Sequence, residues 1–588
     1  ILYLTDGLLK EQLLYDEDFL QNDIQNNKWI VFFIDEVHER SVNIDLCLAL
    51  LARLLTRKPD FNSKIKLIIS SATLDKSVPK LFRQISNIKF NEFIISRMDF
   101  RYPIEDIPHP KENVLDIVQE LYKKRQRNDQ ILCFVNSVTE VHQCCRLLSQ
   151  LSHGTIIAYP LVQSQSSTIQ EFYIEHGSVF FSTSVAETSL TFPSLKYVID
   201  TGMVNIPIYD PESKRTVLQQ VRAAESTLKQ RRGRLGRTKP GEYHYSYTFK
   251  VQDKLFPEPH ILLSDLTNID FLLRRSPIKN DLNDLQQFLP DKLKPQTIST
   301  IIIELKNLGI LKSSSSNQFT SEGERLAKLP DFGSLAMAKS VLYALDIYNC
   351  GRDLICLASI LSVLNTTALL KDIPQYMKSP DGDFMTLLNI MNTILLVKES
   401  VPNHKFNLQR VCERKGLTNI AHVVRQAMRR YENLEKSFNL SVEYRHKAQI
   451  RSDNWECIAK SLLAGYADNI FVSMKDLYEK THLFVRYNNE DDRAILDLQS
   501  TLTRPISETP VSIVLARDIR YASAVRSIAI LSFVGELKPS WIGLNIERDI
   551  EISEEEKQHL NGKNIWTRFK SKLSHKIHQL KNKPIVSL

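Results

Sequence analysis

No G-x-x-x-x-G-K-[ST] occurs anywhere in the 588 residues. That pattern builds the loop whose backbone N–H groups cradle nucleotide phosphates, so the sequence contains no self-sufficient phosphate cradle of this type. Long apolar runs are missing too. None approaches the roughly 20 residues that cross a bilayer, which excludes a membrane-spanning helix from the expected architecture. The eight cysteines (Cys47, Cys133, Cys144, Cys145, Cys350, Cys356, Cys412 and Cys457) form no C-x-x-C pair. A zinc knuckle or disulfide framework is therefore not expected, and free thiols in a reducing, intracellular compartment are. Residues Ile1–Gly7 show no initiator Met and no basic leader region, and the expectation is a chain that opens inside a domain. Neither sign of charge dominates: 76 Lys and Arg against 68 Asp and Glu give +8, which permits nucleic-acid binding without establishing it.

What is present is a series of domains. Trp29–Asp35 is a short apolar run ending in an acid, the pattern of a strand buried on both faces of a parallel sheet. Asp45–Leu55 reads as a helix and Ile65–Ser70 as the next strand. A second set follows, with strands at Ile131–Val135, Thr155–Ala158, Val179–Ser182, Tyr197–Asp200 and Tyr243–Tyr247, and a helix at Glu140–Leu148. Two α/β domains in tandem are expected, with a boundary near Tyr102-Pro103. Beyond Pro257 the pattern turns helical: Pro295–Leu308 is amphipathic, and a Ser-rich hairpin follows Gly309. β-rich runs fill Leu483–Leu544. The last stretch, Lys563–Lys583, holds seven Lys or Arg and no acid, and reads as a solvated tail. Lys123-Lys124-Arg125-Gln126-Arg127 reads as a solvated helix end, with an import patch as the alternative.

Asp35-Glu36 closes the first buried strand, where parallel sheets place ligands. In a nucleotide hydrolase the first acid holds Mg²⁺ and the second positions the attacking water. Acids also end strands simply to meet solvent, so the pair alone is a weak signal. Arg231, Arg232, Arg234 and Arg237 fall within seven residues, interleaved with Gly233 and Gly236. Glycines allow close approach to a phosphate, and arginine supplies fork-shaped donors that stay charged.

Together these segments resemble the DEAH/RHA-type RNA helicases of superfamily 2, over residues 1 to about 545. Asp35-Glu36-Val37-His38-Glu39-Arg40-Ser41 resembles the DEAH-ERS box with Val for Ala, and Asp35 and Glu36 would hold the metal. His38 would relay the nucleotide state. Ser71-Ala72-Thr73 resembles the motif coupling hydrolysis to strand separation. Thr5-Asp6-Gly7 resembles an RNA-touching motif, as do Phe134 and Asn136 in Leu132–Ser137, where Asn-Ser replaces Thr-Gly. In Thr183–Thr191, the resemblance puts Thr183 and Ser184 toward RNA and Ser189 and Thr191 toward the nucleotide, with Asp200 nearby. Val198–Gly202 carries Thr201 where Pro is usual, and Gly202–Gln219 would be a strand-separating hairpin. Gln230, Arg234 and Arg237 would orient water and hold phosphates, while Arg232 and Leu235 replace small alanines. Ser379–Asn389 resembles the ratchet-domain run, with Phe384 for His. Asn419–Arg425 and Lys460–Ala467 resemble later ratchet segments.

The resemblance implies tandem RecA-like parallel-sheet domains (1–102, the C-terminal part of the first, and 103–252). A winged helix (253–325), a helical ratchet bundle (326–475), an OB-like barrel (476–560) and a basic tail (561–588) would follow. It implies ATP-dependent 3′–5′ translocation on single-stranded RNA, or on duplex with a single-stranded tail, using ATP and Mg²⁺. An RNP or activator protein would assist in the nucleus or cytoplasm. Without the phosphate loop, these 588 residues are expected to hydrolyse ATP poorly. A catalytically degenerate RNA-binding scaffold is the alternative, and a DNA- or protein-directed engine a third reading.

Overall fold

The apolar run after Trp29 forms β1 (Ile30–Ile34), paired in parallel with β2 (Ile65–Ile69). The crossover between them is the helix Val42–Arg57, opened by Ser41, whose Oγ accepts from Ile44 N at 3.1 Å. A side-chain acceptor there satisfies one of the otherwise orphan N–H groups of a first helical turn. Burial on both faces of β1 is not observed. Phe32 and Ile34 are buried, but Val31 is 55% and Phe33 62% exposed. Only one face of this two-stranded sheet is covered among the described residues, so a run read as doubly buried alternates instead.

This computed structural model describes residues up to 542. Ile1, residues 16–28, Leu74, Asn87, residues 94–101, Lys111, Ser164, Ser166, residues 188–189, 211–214, 252–253, 315–316, 365–366, 475–482, 503–510, 522–527 and 543–588 lie outside the description. The basic tail is among them. The chain divides into two compact units, Ile1–Thr300 and Ile301–Leu588.

In the first unit, six parallel strands make the second sheet: β3 (Ile104–Pro108), β4 (Gln130–Phe134), β5 (Ala158–Leu161), β6 (Val179–Ser182), β7 (Leu195–Asp200) and, after a hairpin, β10 (Gly241–Tyr245). Their order is β3-β10-β7-β4-β6-β5. Alternation along central β4 builds two cores: Ile131 and Cys133 enter one, Leu132 and Phe134 the other. Both faces are therefore filled, as an all-parallel sheet requires. The hairpin is β8 (Met203–Asp210) with β9 (Arg215–Arg222), in register from Met203↔Arg222 to Asp210↔Arg215. β5 starts three residues later than the sequence suggested. Thr155 is drawn into a turn instead, its Oγ1 donating to Ser152 O at 2.7 Å, while Gly154 takes φ +77°. The segment Lys123–Arg127 ends the helix Val114–Lys124, with Arg125 Nη1 donating to the carbonyls of Gln126, Arg127 and Asp129.

In the second unit the helices Leu335–Asp346 and Trp455–Tyr466 pack so closely that a Cβ on Gly465 would lie 1.8 Å from Ala336 O. β11 (Ile470–Met474), β12 (Phe484–Arg486), β13 (Asn489–Leu496), β14 (Val511–Tyr521) and β15 (Ile528–Leu537) close into a barrel, because β11 pairs with both β12 and β14. β11 falls in a stretch the sequence had assigned wholly to helices. The helix Asp383–Ser400 is locked to the barrel by its first residue: buried Asp383 accepts from Ser500 Oγ, Thr501 N and Oγ1, and Val534 N, all within 3.1 Å. Its neighbour Phe384 is fully buried, ring centroid 6.1 Å from that of Trp455.

Candidate nucleotide and nucleic-acid site

Asp35 and Glu36 stand exposed just past β1, and Glu36 N donates to Asp35 Oδ1 at 2.9 Å. Glu36 takes φ +53° and Arg40 φ +45°, left-handed conformations uncommon for residues with a Cβ. The box is thus bent at both ends of the turn Val37–Glu39. The bend turns His38 inward, with its side chain 7% exposed. His38 Nδ1 lies 3.4 Å from Ala72 N, 3.5 Å from Ser71 Oγ and 3.3 Å from Glu36 Oε2. Ser71 Oγ donates to Thr73 O at 2.7 Å, which stiffens the Ser-Ala-Thr turn. The acid box and the Ser71-Ala72-Thr73 turn are therefore joined through one imidazole. Thr5-Asp6-Gly7 adjoins them: Asp6 opens the helix Asp6–Tyr15 and accepts from Ser41 Oγ at 2.9 Å, while Thr5 Oγ1 accepts from Leu8 N at 3.3 Å. Gly7 follows, its N–H held by Asp6 Oδ1 at 2.7 Å.

The arginine segment is built differently. Arg231, at the end of the helix Glu225–Arg232, is 1% exposed. It donates to Asp200 Oδ1 at 2.7 Å, Glu187 Oε1 at 2.8 Å and Met203 O at 3.3 Å, and lies 4.9 Å from the Phe134 ring centroid. Burial works against its charge, but the two carboxylates outweigh it and raise its pKa further. Arg234 is 8% exposed and donates to the carbonyls of Leu190 and Glu187. Burial, and then Arg237, lower its pKa to about 10, against which the charges of Glu187 and Glu36 act. Arg237 is exposed, with Nε donating to Gly233 O at 3.0 Å. Gln230 is half-buried on the same helix.

Two expected contact residues need correction. Phe134 has no exposure and belongs to the core under Arg231, so its ring is not available to RNA. Asp200 is likewise fully buried, its carboxylate taken by Arg231, Gly202 N and Tyr243 Oη. It organises the arginine segment instead of meeting a nucleotide. Ser189 lies outside the described residues. Thr191 and Ser184 are exposed and Thr183 half-buried. Sequence reasoning did not assign Arg231 a role of its own; its signal was only its place within the basic run.

The family departures are absorbed by packing. Arg232 points outward to Asp106, at 2.7 and 3.0 Å. Leu235 is fully buried in a core cluster, against Gly241, where a Cβ would come 2.9 Å from it. Asn136 Oδ1 accepts from Thr201 Oγ1 at 3.1 Å, so two unusual residues partner each other. Ser137 caps the helix Val138–Leu151 through Glu140 N, and Glu140 returns a bond to Asn136 N.

Among the described residues, no group of three or more His, Cys, Asp or Glu is arranged to hold a metal unaided. The exposed pair Asp35 and Glu36 suits a hydrated cation that also draws ligands from a substrate. No described helix is long and apolar enough to cross a membrane.

Residues 113–239 match the helicase conserved C-terminal domain. The chain is 26% identical over 508 residues to the pre-mRNA-splicing factor ATP-dependent RNA helicase prp22 of Schizosaccharomyces pombe, covering 82% of this chain and 40% of that protein. It is 28% identical over 437 residues to the ATP-dependent RNA helicase HrpA of Escherichia coli, covering 70% and 32%. The chain therefore spans less than half the length of these curated relatives. The crystal structure of the E. coli DExH-box NTPase HrpB superposes with a TM-score of 0.60, 20% identity, and coverage of 92% of this chain and 57% of that one. At that identity the likeness concerns the fold: parallel-sheet domains followed by a closed barrel. The motifs, the matched domain and the relatives together show a resemblance to DEAH/RHA-type superfamily 2 RNA helicases.

Proposed function

We propose that this chain supplies the acid box, coupling motif and arginine segment of an ATP-dependent RNA helicase. The observation that carries the reading is the meeting of the acid box with the Ser71-Ala72-Thr73 turn at one imidazole, His38 Nδ1 lying 3.3 Å from Glu36 Oε2, 3.4 Å from Ala72 N and 3.5 Å from Ser71 Oγ. Phosphoryl transfer relies on positioning and charge stabilisation, and an exposed acid pair together with a set of arginines can provide both. Asp35, with Glu36 beside it, would hold Mg²⁺, which supplies neutralisation of phosphate charge when bound. Glu36 orients water and takes up its proton, and Arg234 and Arg237 face the phosphates, with Gln230, Ser189 and Thr191 beside them. His38 passes the change to Ser71-Ala72-Thr73. Thr5-Asp6-Gly7, Asn136, Thr183 and Ser184 grip single-stranded RNA through phosphate and sugar, with the β8–β9 hairpin parting strands during 3′–5′ movement. The hairpin Leu311↔Phe319 beside the helix Ser321–Lys328 fits a winged helix, and the helices between 335 and 466 fit a ratchet bundle. An intracellular RNP setting accords with eight cysteines that form no disulfide.

The departures at Asn136, Arg232, Leu235 and Phe384 would support the degenerate-scaffold reading if they disturbed the motifs. Each is accommodated by a partner of its own, Thr201, Asp106, Gly241 and Trp455 in turn, which favours the active reading. The test is RNA-stimulated ATP turnover of this chain, alone and joined to a phosphate-loop segment placed ahead of Ile1, with Glu36→Gln as control. Turnover only in the joined protein, abolished by Glu36→Gln, is expected. A folded joined protein that binds RNA without turnover would overturn the proposal and leave the scaffold.

A further inference from the structure

Behind the acid box lies a cavity of about 10 Å³ lined by His38, Arg40, Thr73, Asp75, Val78 and Phe256, among others. Two polar atoms at its walls, His38 Nε2 and Thr73 Oγ1, are buried and have no hydrogen-bonding partner among the described residues. Buried polar groups are nearly always paired, with protein or with ordered water. The volume is that of about one water, and a stable internal water needs two to four polar partners.

We propose that this cavity binds a single ordered water joining His38 Nε2 to Thr73 Oγ1 and the Asp75 carboxylate, and that Asp75 thereby positions His38. The chemistry of the three groups favours water over an ion. Ala72 N donates to His38 Nδ1, which puts the neutral ring's proton on Nε2, where it needs an acceptor. If Nδ1 instead donates to Glu36, Nε2 needs a donor. Thr73 Oγ1 serves as either. Water meets every combination, because it both donates and accepts. A cation would meet the Arg40 guanidinium in the same wall, and an anion would meet Asp75.

Asp75 is held in place for this work. Its Oδ1 accepts from Ser77 N at 3.0 Å and its Oδ2 lies 3.4 Å from Arg40 Nη1. Arg40 is itself immobilised, bidentate on Asp45 at 2.7 and 3.2 Å and bound to Asp291 at 2.5 Å. His260 N also donates to Arg40 O at 3.1 Å. The water would therefore connect the acid box and the Ser-Ala-Thr turn to a rigid frame reaching residues 256–291. A movement of Phe256 and Pro257, which help line the cavity, would loosen the His38 ring by displacing it.

The hydration site stands on its own, whereas its consequence for turnover rests on the helicase reading. A crystal structure of the chain at a resolution that orders internal water should show one peak within about 3.2 Å of both His38 Nε2 and Thr73 Oγ1. Thr73→Ser should keep the peak and Thr73→Val should lose it. Asp75→Asn should shift the His38 ring ¹⁵N resonances, while a substitution of equal size at exposed Asp60 should not. An empty cavity, a direct protein partner for Nε2, or unchanged ¹⁵N shifts in Asp75→Asn would overturn the proposal. Because the wild-type structure decides the first point, a misfolded variant does not rescue it. Water present without RNA-stimulated turnover sinks the helicase reading alone. Turnover with a dry cavity sinks this one alone.

Discussion

The acid box and the arginine segment face one nucleotide cleft in the proposed function, yet the fold treats them in opposite ways. Around Arg231 the carboxylates are spoken for, with Asp200 receiving three donors and Arg231 reaching two carboxylates and a carbonyl, although Arg234 Nε is buried without a partner among the described residues. Around Asp35 the acids are exposed, β1 shows apolar side chains to solvent, and His38 and Thr73 each keep a buried polar atom unbonded within the described residues. The closed region holds a geometry fixed. The open one leaves acidic groups exposed and buried polar atoms unpaired within the described residues. A closed network tolerates no missing member, since one charge removed strands its partners. The open region should bear substitution better and lose function before stability.

Breaking the closed network has the largest expected effect. Arg231→Met leaves Asp200 and Glu187 without their cation, and loss of one partner of a buried pair costs about 3–5 kcal/mol. Urea unfolding followed by a probe in residues 103–250 should show that loss. Arg237→Ala, at an exposed position seven residues or fewer away, should stay within about 0.5 kcal/mol of wild type while reducing RNA-stimulated turnover in the joined protein. Equal destabilisation by the two would erase the contrast.

The sequence revealed this contrast only in part. That Asp35 and Glu36 stand exposed at the end of the first strand was legible, because an apolar run that stops at two acids stops where the chain meets solvent. The second sheet was legible because its doubly buried strands read as unbroken apolar runs, and five of its six strands were expected near their observed positions. Which arginine faces inward was not, since the four look alike until the helix Glu225–Arg232 is laid on β7. Phe134 and Asp200 were expected at the ligand because a motif says which residues occur near a site, not which way each points. The Thr201–Asn136 pairing joins positions 65 apart, beyond any local pattern. β11 was hidden for a different reason: five apolar-rich residues following a helix carry too few turns to tell period 3.6 from period 2.

A second test compares apolar residues across the two regions. Leu235→Ala removes a fully buried side chain and should cost about 2–5 kcal/mol. Phe33→Ala removes one that is 62% exposed, and should fall within about 0.5 kcal/mol while improving solubility by interrupting an exposed apolar strand face. A large loss from Phe33→Ala would mean that its exposed face is packed in solution.

The closed domain should also respond to pH. His244, on β10, is buried and lies 2.9 Å from His109 through Nδ1, with Glu242 3.4 Å from its Nε2. Burial, then the charge of His109, push its pKa below the usual 6.5 despite Glu242. A histidine with a depressed folded pKa takes up protons more readily when unfolded, so stability rises with pH across this window. The contribution is complete above about 6.5 and is lost as pH falls through the depressed value. Thermal unfolding at a series of pH values should show that slope, flattened in His244→Gln. An unchanged slope in the variant would assign the effect to other groups.

The smallest effect belongs to Arg232, which stands where the resembled family has a small alanine. Its guanidinium grips Asp106 with two bonds, at 2.7 and 3.0 Å, but the carboxylate is about half exposed. Exposed pairs contribute about 0–1 kcal/mol even when well formed, and bidentate geometry argues for the upper part of that range. A double-mutant cycle with Arg232→Ala and Asp106→Asn should return a coupling of about 0.5–1 kcal/mol. Turnover in the joined protein should be nearly unchanged, because the two side chains are engaged with each other. If Arg232→Ala instead raised turnover severalfold without altering stability, Arg232 would be acting on the cleft itself. The boundary between a closed, structural arginine cluster and an open, chemical acid box would then have to move.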